Sequence, residues 1–290
     1  MKIARIFPRK TKASPVDELC FFDIPPMLCL PEIDEVHVSI VFTYDIPRAE
    51  ALAYQWETVG VPVKIGGPAY DNPGGEFIPG MYLKKGYLIT SRGCPNNCWF
   101  CKVPKREGGL RELEIKQGWN ILDDNLLACS DNHIKSVFEM LRNQPQQPLF
   151  TGGLEAALFK PWHAEEMKIL KTKRMYFAYD ITDDYEPLVE AGKKLRKAGF
   201  TARSHSAYAY VLIGYKGDTF EKAEKRLKDT IKAGFMPYAM LYRDEKGNYN
   251  KKWTNFRDLW LMPAQITSKN KDLLEQTINE LDGFKQAEDL

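Results

Sequence analysis

Ser91-Arg92-Gly93-Cys94-Pro95-Asn96-Asn97-Cys98-Trp99-Phe100-Cys101 gathers three of the six cysteines of this 290-residue chain at Cys-x3-Cys-x2-Cys spacing. The opening Met1-Lys2-Ile3-Ala4-Arg5 has no secretory apolar core that would make disulfides the expected use, so the clustering points to a metal. A structural zinc site closes four ligands, usually as two pairs, and no second zinc-like pair follows Cys101. An iron-sulfur cluster normally takes four thiolates, so three local ones leave one iron open to a cofactor. Zinc and a plain electron-transfer cluster remain the alternatives.

Outward from the cysteines the chain alternates strand and helix. Tyr87-Leu88-Ile89-Thr90 reads as a short strand that delivers the cysteines into the loop after it. Further strands are expected at 120–122, 148–151, 175–178, 207–213 and 236–242. Helices between them show i, i+3, i+4, i+7 spacing, as in Ile134, Val137, Phe138 and Leu141. Asp218-Thr219-Phe220-Glu221 has the form of a capping box, and Gly199 and Gly234 are helix stops. Six strands with intervening helices imply an α/β fold with a parallel sheet, its active side at the strands' carboxyl ends.

Cys94-x3-Cys98-x2-Cys101, with aromatic Phe100 before the last cysteine, resembles the cluster motif of the radical S-adenosylmethionine enzymes. The resemblance covers about residues 86–243 and implies an open six-stranded (β/α)6 partial TIM barrel. It implies that Cys94, Cys98 and Cys101 hold a 4Fe-4S cluster whose fourth iron is chelated by S-adenosylmethionine. Reductive cleavage would then give methionine and a 5'-deoxyadenosyl radical that abstracts hydrogen from a substrate the motif does not identify. A small electron donor such as flavodoxin or ferredoxin is the implied partner. Gly152-Gly153-x-Glu155 resembles the family's Gly-Gly-Glu element, which meets the amino group of S-adenosylmethionine, though Leu154 is inserted and the element follows the third strand. Ile213-Gly214-Tyr215-Lys216-Gly217-Asp218-Thr219 resembles its glycine turn after the fifth strand.

Residues 1–80 read as a small N-terminal α/β unit, 81–265 as the radical core and 266–290 as a C-terminal helix. In the first of these, strands at 36–42 and 61–65 flank a helix that starts at Pro47, carries Ala49, Leu52, Ala53 and Trp56 on one face, and closes at Gly60. This unit faintly resembles a trimmed cobalamin-binding domain, so cobalamin-assisted radical methylation is a second reading. It lacks the Asp-x-His-x-x-Gly loop of many such domains, because Asp45 is followed by Ile46 and Pro47. A structural cap or lid is the preferred role, and the Gly/Pro-rich residues 66–80 read as a linker or a loop over the site.

At 44% hydrophobic and 28% charged, the composition is that of an ordinary globular protein, and no run approaches the length of a membrane helix. A cytoplasmic location is expected. The net charge of +2 indicates no nucleic-acid partner, yet residues 84–117 carry eight bases against three acids. A solvated basic loop near a negatively charged cluster is the preferred reading of that stretch, and an anionic substrate or an acidic electron donor is the alternative.

Candidate cofactor contacts, beyond Phe100, Gly152, Gly153 and Glu155, are Asp123 and Asp124 with Asn125 after the second strand and Asp180 after the fourth. Arg203, entering the fifth strand with Ser204, His205 and Ser206, joins them, because a guanidinium can hold a carboxylate bidentately. Tyr208, Tyr210, Tyr238 and Tyr242 fall on strands, where aromatic core packing outweighs a hydrogen relay. Cys20, Cys29 and Cys129 are isolated and read as structural thiols. His37, His133 and His163 have no zinc-like partners.

Overall fold

The computed structural model describes residues 1–201, 204–244 and 246–288, the side chains of 282–288 excepted. The chain divides into two compact units, Met1–Gly118 with Glu245–Gly247, and Trp119–Asp244 with Asn248–Leu290. The division falls at Gly118 rather than near residue 80.

The first unit is built on a parallel sheet of β1 (Ile3–Ile6), β2 (Cys20–Phe21), β3 (Glu35–Ser39) and β4 (Val63–Gly66), in the order β2-β1-β3-β4. Helix α1 (Ile46–Trp56) crosses between β3 and β4, with Pro47 in its first turn and Ala49, Leu52 and Trp56 buried. Strand alternation sends Ala4, Ile6, Val36 and Val38 into the core that receives this helical face. Burying each large side chain there stabilises the unit by about 1.5–3 kcal/mol. Trp56 is fully buried, and its indole N–H donates to the Asp23 carbonyl at 2.9 Å, so its one polar atom is satisfied. The strands β1 and β2 go beyond the single crossover expected from sequence.

The larger sheet has six strands in the order β12-β11-β10-β9-β8-β5, which is chain order: β5 (Tyr87–Leu88), β8 (Asn120–Ile121), β9 (Leu149–Leu154), β10 (Arg174–Ala178), β11 (Ala207–Ile213) and β12 (Met236–Leu241). Pairing from β8 through β12 is parallel. Along β11, Ala207, Ala209, Val211 and Ile213 alternate with Tyr208, Tyr210 and Leu212, so one face is aliphatic and the other carries the two phenols. The connections are helices α3 (Asp131–Arg142), α4 (Pro161–Ile169), α5 (Tyr185–Lys197) and α6 (Phe220–Lys232).

Ser130 caps α3 by accepting from the His133 N–H at 3.2 Å. Thr219, one residue after the expected Asp218, caps α6 by accepting from the Lys222 N–H at 3.3 Å. Helices α5 and α6 approach closely at Gly192, where a Cβ would lie 2.2 Å from the Ala233 carbonyl oxygen. After β12 come α7 (Lys252–Asp258), α8 (Pro263–Lys269) and α9 (Lys271–Glu288). Among the described residues no helix is long and apolar enough to cross a membrane.

Candidate functional site

In the first unit, β6 (Ser91–Arg92) pairs antiparallel with β7 (Arg111–Glu112), which makes everything between them one excursion of the chain. Its two ends touch at Gly93, which has φ +85° and where a Cβ would lie 2.3 Å from the Gly109 carbonyl oxygen. All three cysteines lie in this excursion, Cys94 and Cys101 half-buried and Cys98 exposed. The Asn96 N–H approaches Cys94 Sγ at 3.5 Å, and the Cys101 N–H donates to the Cys98 carbonyl at 3.0 Å, so the second and third thiols flank one turn. Phe100 is half-buried and meets the exposed Trp99 edge-on at 5.3 Å.

The loop then enters α2 (Val103–Glu107), and Glu107 anchors it. Its side chain is 1% exposed, yet it accepts from Arg106 Nε at 2.9 Å, Arg111 Nη2 at 3.1 Å and the Gly74 N–H at 3.0 Å, with Arg92 Nη1 3.8 Å away. Burial alone would raise this carboxyl. The hydrogen bonds from Arg106 and Gly74 and the nearby guanidinium charges outweigh burial and hold it below the usual carboxylate range. The same arginines reach across the loop, Arg111 donating to the Gly74 carbonyl and Arg92 to the Gly75 carbonyl, each at 3.0 Å. Gly74 and Gly75 are thereby tied to the cysteine loop.

Lys105 pairs with Asp71 at 2.7 Å and Lys116 with Glu114. Carboxylates therefore engage at least five of the eight bases counted in this stretch. The local basic excess lends correspondingly little support to an anionic substrate.

In the second unit the Gly-Gly element lies inside β9, not in a turn after it, which corrects the expectation from sequence. The reason is steric: a Cβ on Gly152 would lie 2.1 Å from the Asp123 carbonyl oxygen, so only glycine lets β9 run against the segment after β8. Gly153 has φ +101°, and the β9/β10 register shifts between Met175 and Phe177. The strand thus ends by setting Glu155 beside Asn125, whose Nδ2 donates to Glu155 Oε2 at 2.6 Å. Gly152, Glu155, Asp123 and Asn125 are brought together, with Asp123 buried and the neighbouring Asp124 half-buried.

Asp180, after β10, is half-buried and accepts from the Leu212 N–H of β11 at 3.0 Å. Burial pushes its carboxyl up to about 7; the Leu212 hydrogen bond opposes that, and Asp184 adds to it. Arg203 lies outside the described residues. Ser204, His205 and Ser206 precede β11 and so stand at the amino ends of the strands, away from Glu155 and Asp180 at the carboxyl ends.

The glycine turn after β11 is closed by the fully buried Asp218 carboxylate, which accepts from the Gly214 N–H and Arg226 Nη2, each at 2.9 Å. The tyrosines also assemble: Tyr176 stacks on Tyr208 and Tyr210 at 4.9 and 4.8 Å and meets Tyr238 edge-on. Tyr210 donates to the Thr151 carbonyl at 3.1 Å, and burial raises its phenol above the usual range.

No family model matches the chain, and a search of the curated proteins finds no match.

Among the described residues no three His, Cys, Asp or Glu side chains converge as a metal-holding group. The thiols share one loop without forming a cage. The donor set nevertheless suits an iron-sulfur cluster: three thiols on an accessible turn, one of them approached by a backbone N–H that would stabilise its thiolate. Glu107 and Arg226, the partner of Asp218, escape sequence reasoning. Asn125 is legible from its position just past a strand, but its bond to Glu155 is not.

Asp180 gives a pH test. With its folded pKa raised to about 7, the native chain retains a proton that the unfolded chain releases near pH 4. That contribution to stability is full below about pH 4 and is lost as pH rises to about 7. Asp180→Asn should remove this fall and stabilise the chain at pH 8 by at most about 4 kcal/mol. Urea midpoints of both proteins from pH 4 to 8 measure it, and parallel profiles would contradict the assignment.

Proposed function

We propose that this chain is a radical S-adenosylmethionine enzyme, and that its six-stranded sheet with the crossover helices is the open (β/α)6 barrel of that class. The observation that carries the reading is Cys94-x3-Cys98-x2-Cys101 on a single accessible loop. Six strands in chain order with crossover helices agree with it. When bound, a 4Fe-4S cluster with S-adenosylmethionine on its open iron supplies reductive cleavage of the sulfonium and hydrogen abstraction from a substrate.

The chain's own residues would do the following. Cys94, Cys98 and Cys101 bind three irons as thiolates, and the Asn96 N–H steadies the first. The Glu107 network holds the loop in register. Glu155, oriented by Asn125, offers a carboxylate to an ammonium group, and the bare Gly152-Gly153 backbone lets a cofactor approach. Phe100, Asp123, Asp124 and Asp180 are the remaining proposed contacts. A flavodoxin- or ferredoxin-like donor in the cytoplasm would reduce the cluster.

The four-stranded parallel sheet of the first unit favours one second reading, cobalamin-assisted methylation. Against it, Asp45 is buried in an ion pair with Arg9, which donates from Nε to Asp45 Oδ2 at 2.7 Å. A corrinoid absorption band in the purified protein would establish it.

Anaerobic reconstitution tests the main reading. We expect about four irons per chain, as three thiolates and an open site require. Dithionite with S-adenosylmethionine should then release 5'-deoxyadenosine, and Cys98→Ala should abolish both results. Tight zinc in place of iron, or intact S-adenosylmethionine after reduction of a loaded cluster, would replace the reading with a non-catalytic metal protein.

A further inference from the structure

At the amino ends of β9, β10 and β11 the second unit has a cavity of about 430 Å³. Three lysines, Lys168, Lys171 and Lys173, line it together with Thr172, Ser204 and Ser206, and none of the described residues that line it is a carboxylate. The chain carries 39 acids against 41 bases, so unopposed lysines at one cavity are not a consequence of composition. Lys168 is held by a hydrogen bond from Nζ to the Gly199 carbonyl at 2.7 Å and lies 5.2 Å over the Phe200 ring. Neither Lys171 nor Lys173 forms an ion pair among the described residues.

Two further features single out this wall. Lys171 has φ +52°, a left-handed conformation that lysine seldom adopts. Its N–H donates to the Lys168 carbonyl at 3.0 Å, so the strained turn is fixed beside the anchored lysine. Thr172 is 4% exposed, and its hydroxyl has no hydrogen-bond partner among the described residues. Three ammonium groups with no carboxylate among the described lining residues are an arrangement that an anion with several acceptor oxygens would complete.

We propose that this cavity binds the phosphate of a small phosphorylated molecule. The ammonium groups are compact point charges with rotatable donors, which suits a tetrahedral, multiply charged anion better than a planar carboxylate. The volume exceeds that of one phosphate and leaves room for the group that carries it. The site stands at the end of the sheet opposite Glu155 and Asp180, so it is separate from the proposed cofactor contacts and independent of the cluster.

Titration calorimetry on the metal-free full chain, with inorganic pyrophosphate as the probe at low salt, tests the site. Binding is expected in the wild type, weakened at least about tenfold in K171G/K173Q. Glycine at 171 relieves the left-handed residue while removing its charge, so this variant is expected to keep its fold, with far-UV circular dichroism as the control. No binding by the wild type at millimolar pyrophosphate, or equal affinity in the folded double variant, would overturn the proposal.

Discussion

Glu107→Ala should destabilise the first unit by about 3–5 kcal/mol, the cost of breaking a buried ion pair by removing one partner. Its carboxylate is 1% exposed and is met by Arg106, Arg111 and the Gly74 N–H, so truncation takes the carboxylate away from the largely buried Arg92 and Arg106 guanidiniums, from Arg111 and from the Gly74 amide at once. Glu107→Gln should cost less, because the amide oxygen still accepts while the charge is lost. The effect reaches the cysteines, since Arg92 and Arg111 clasp residues 74 and 75 only while Glu107 gathers them. Urea denaturation reads the stability, and alkylation rates of the half-buried Cys94 and Cys101 read the loop. A variant with wild-type midpoint and wild-type thiol rates would show that the network is ornamental.

Gly152→Ala should be nearly as damaging to the second unit, at about 3 kcal/mol or more. The added methyl would meet the Asp123 carbonyl oxygen at 2.1 Å and the Leu122 carbonyl carbon at 2.7 Å. Both are backbone atoms, so no rotamer change relieves the clash and β9 must part from the segment after β8. Gly153→Ala is the informative neighbour. It has open space around it but φ +101°, so it carries conformational strain alone, about 1–2 kcal/mol. Thermal denaturation should rank wild type above Gly153→Ala and Gly153→Ala above Gly152→Ala. The reverse order would mean that β9 does not lie against Asp123.

What could be read from the chain, and what could not, follows the range of the interactions. The strand at 207–213 is legible to the residue, because an apolar run bounded by polar residues is local information. Strand β1 is not. Arg5 interrupts it and reads as one of five bases at the start of the chain, yet in the fold it is 7% exposed, paired with Asp17 and donating to the Gly80 carbonyl. Gly152-Gly153 reads as a turn because glycine favours turns, and the passing Asp123 backbone overrides that propensity. The division at Gly118 rather than near 80 has the same origin. Gly74 is bound to Glu107 and Gly75 to Arg92, so the chain up to the cysteine loop and beyond it is one unit. Among the candidate site residues, the cysteines are visible because their spacing is local. The Asn125–Glu155 bond is not, since it joins the ends of two different strands.

The chain-order arrangement of β8 through β12 bears on how the protein is made. Each strand pairs with the one synthesised just before it, so every newly emerged strand-helix module finds its docking edge already in place at the ribosome. Assembly can proceed vectorially, leaving one growing edge exposed at a time, and β12 terminates that growth before α7 to α9 are translated.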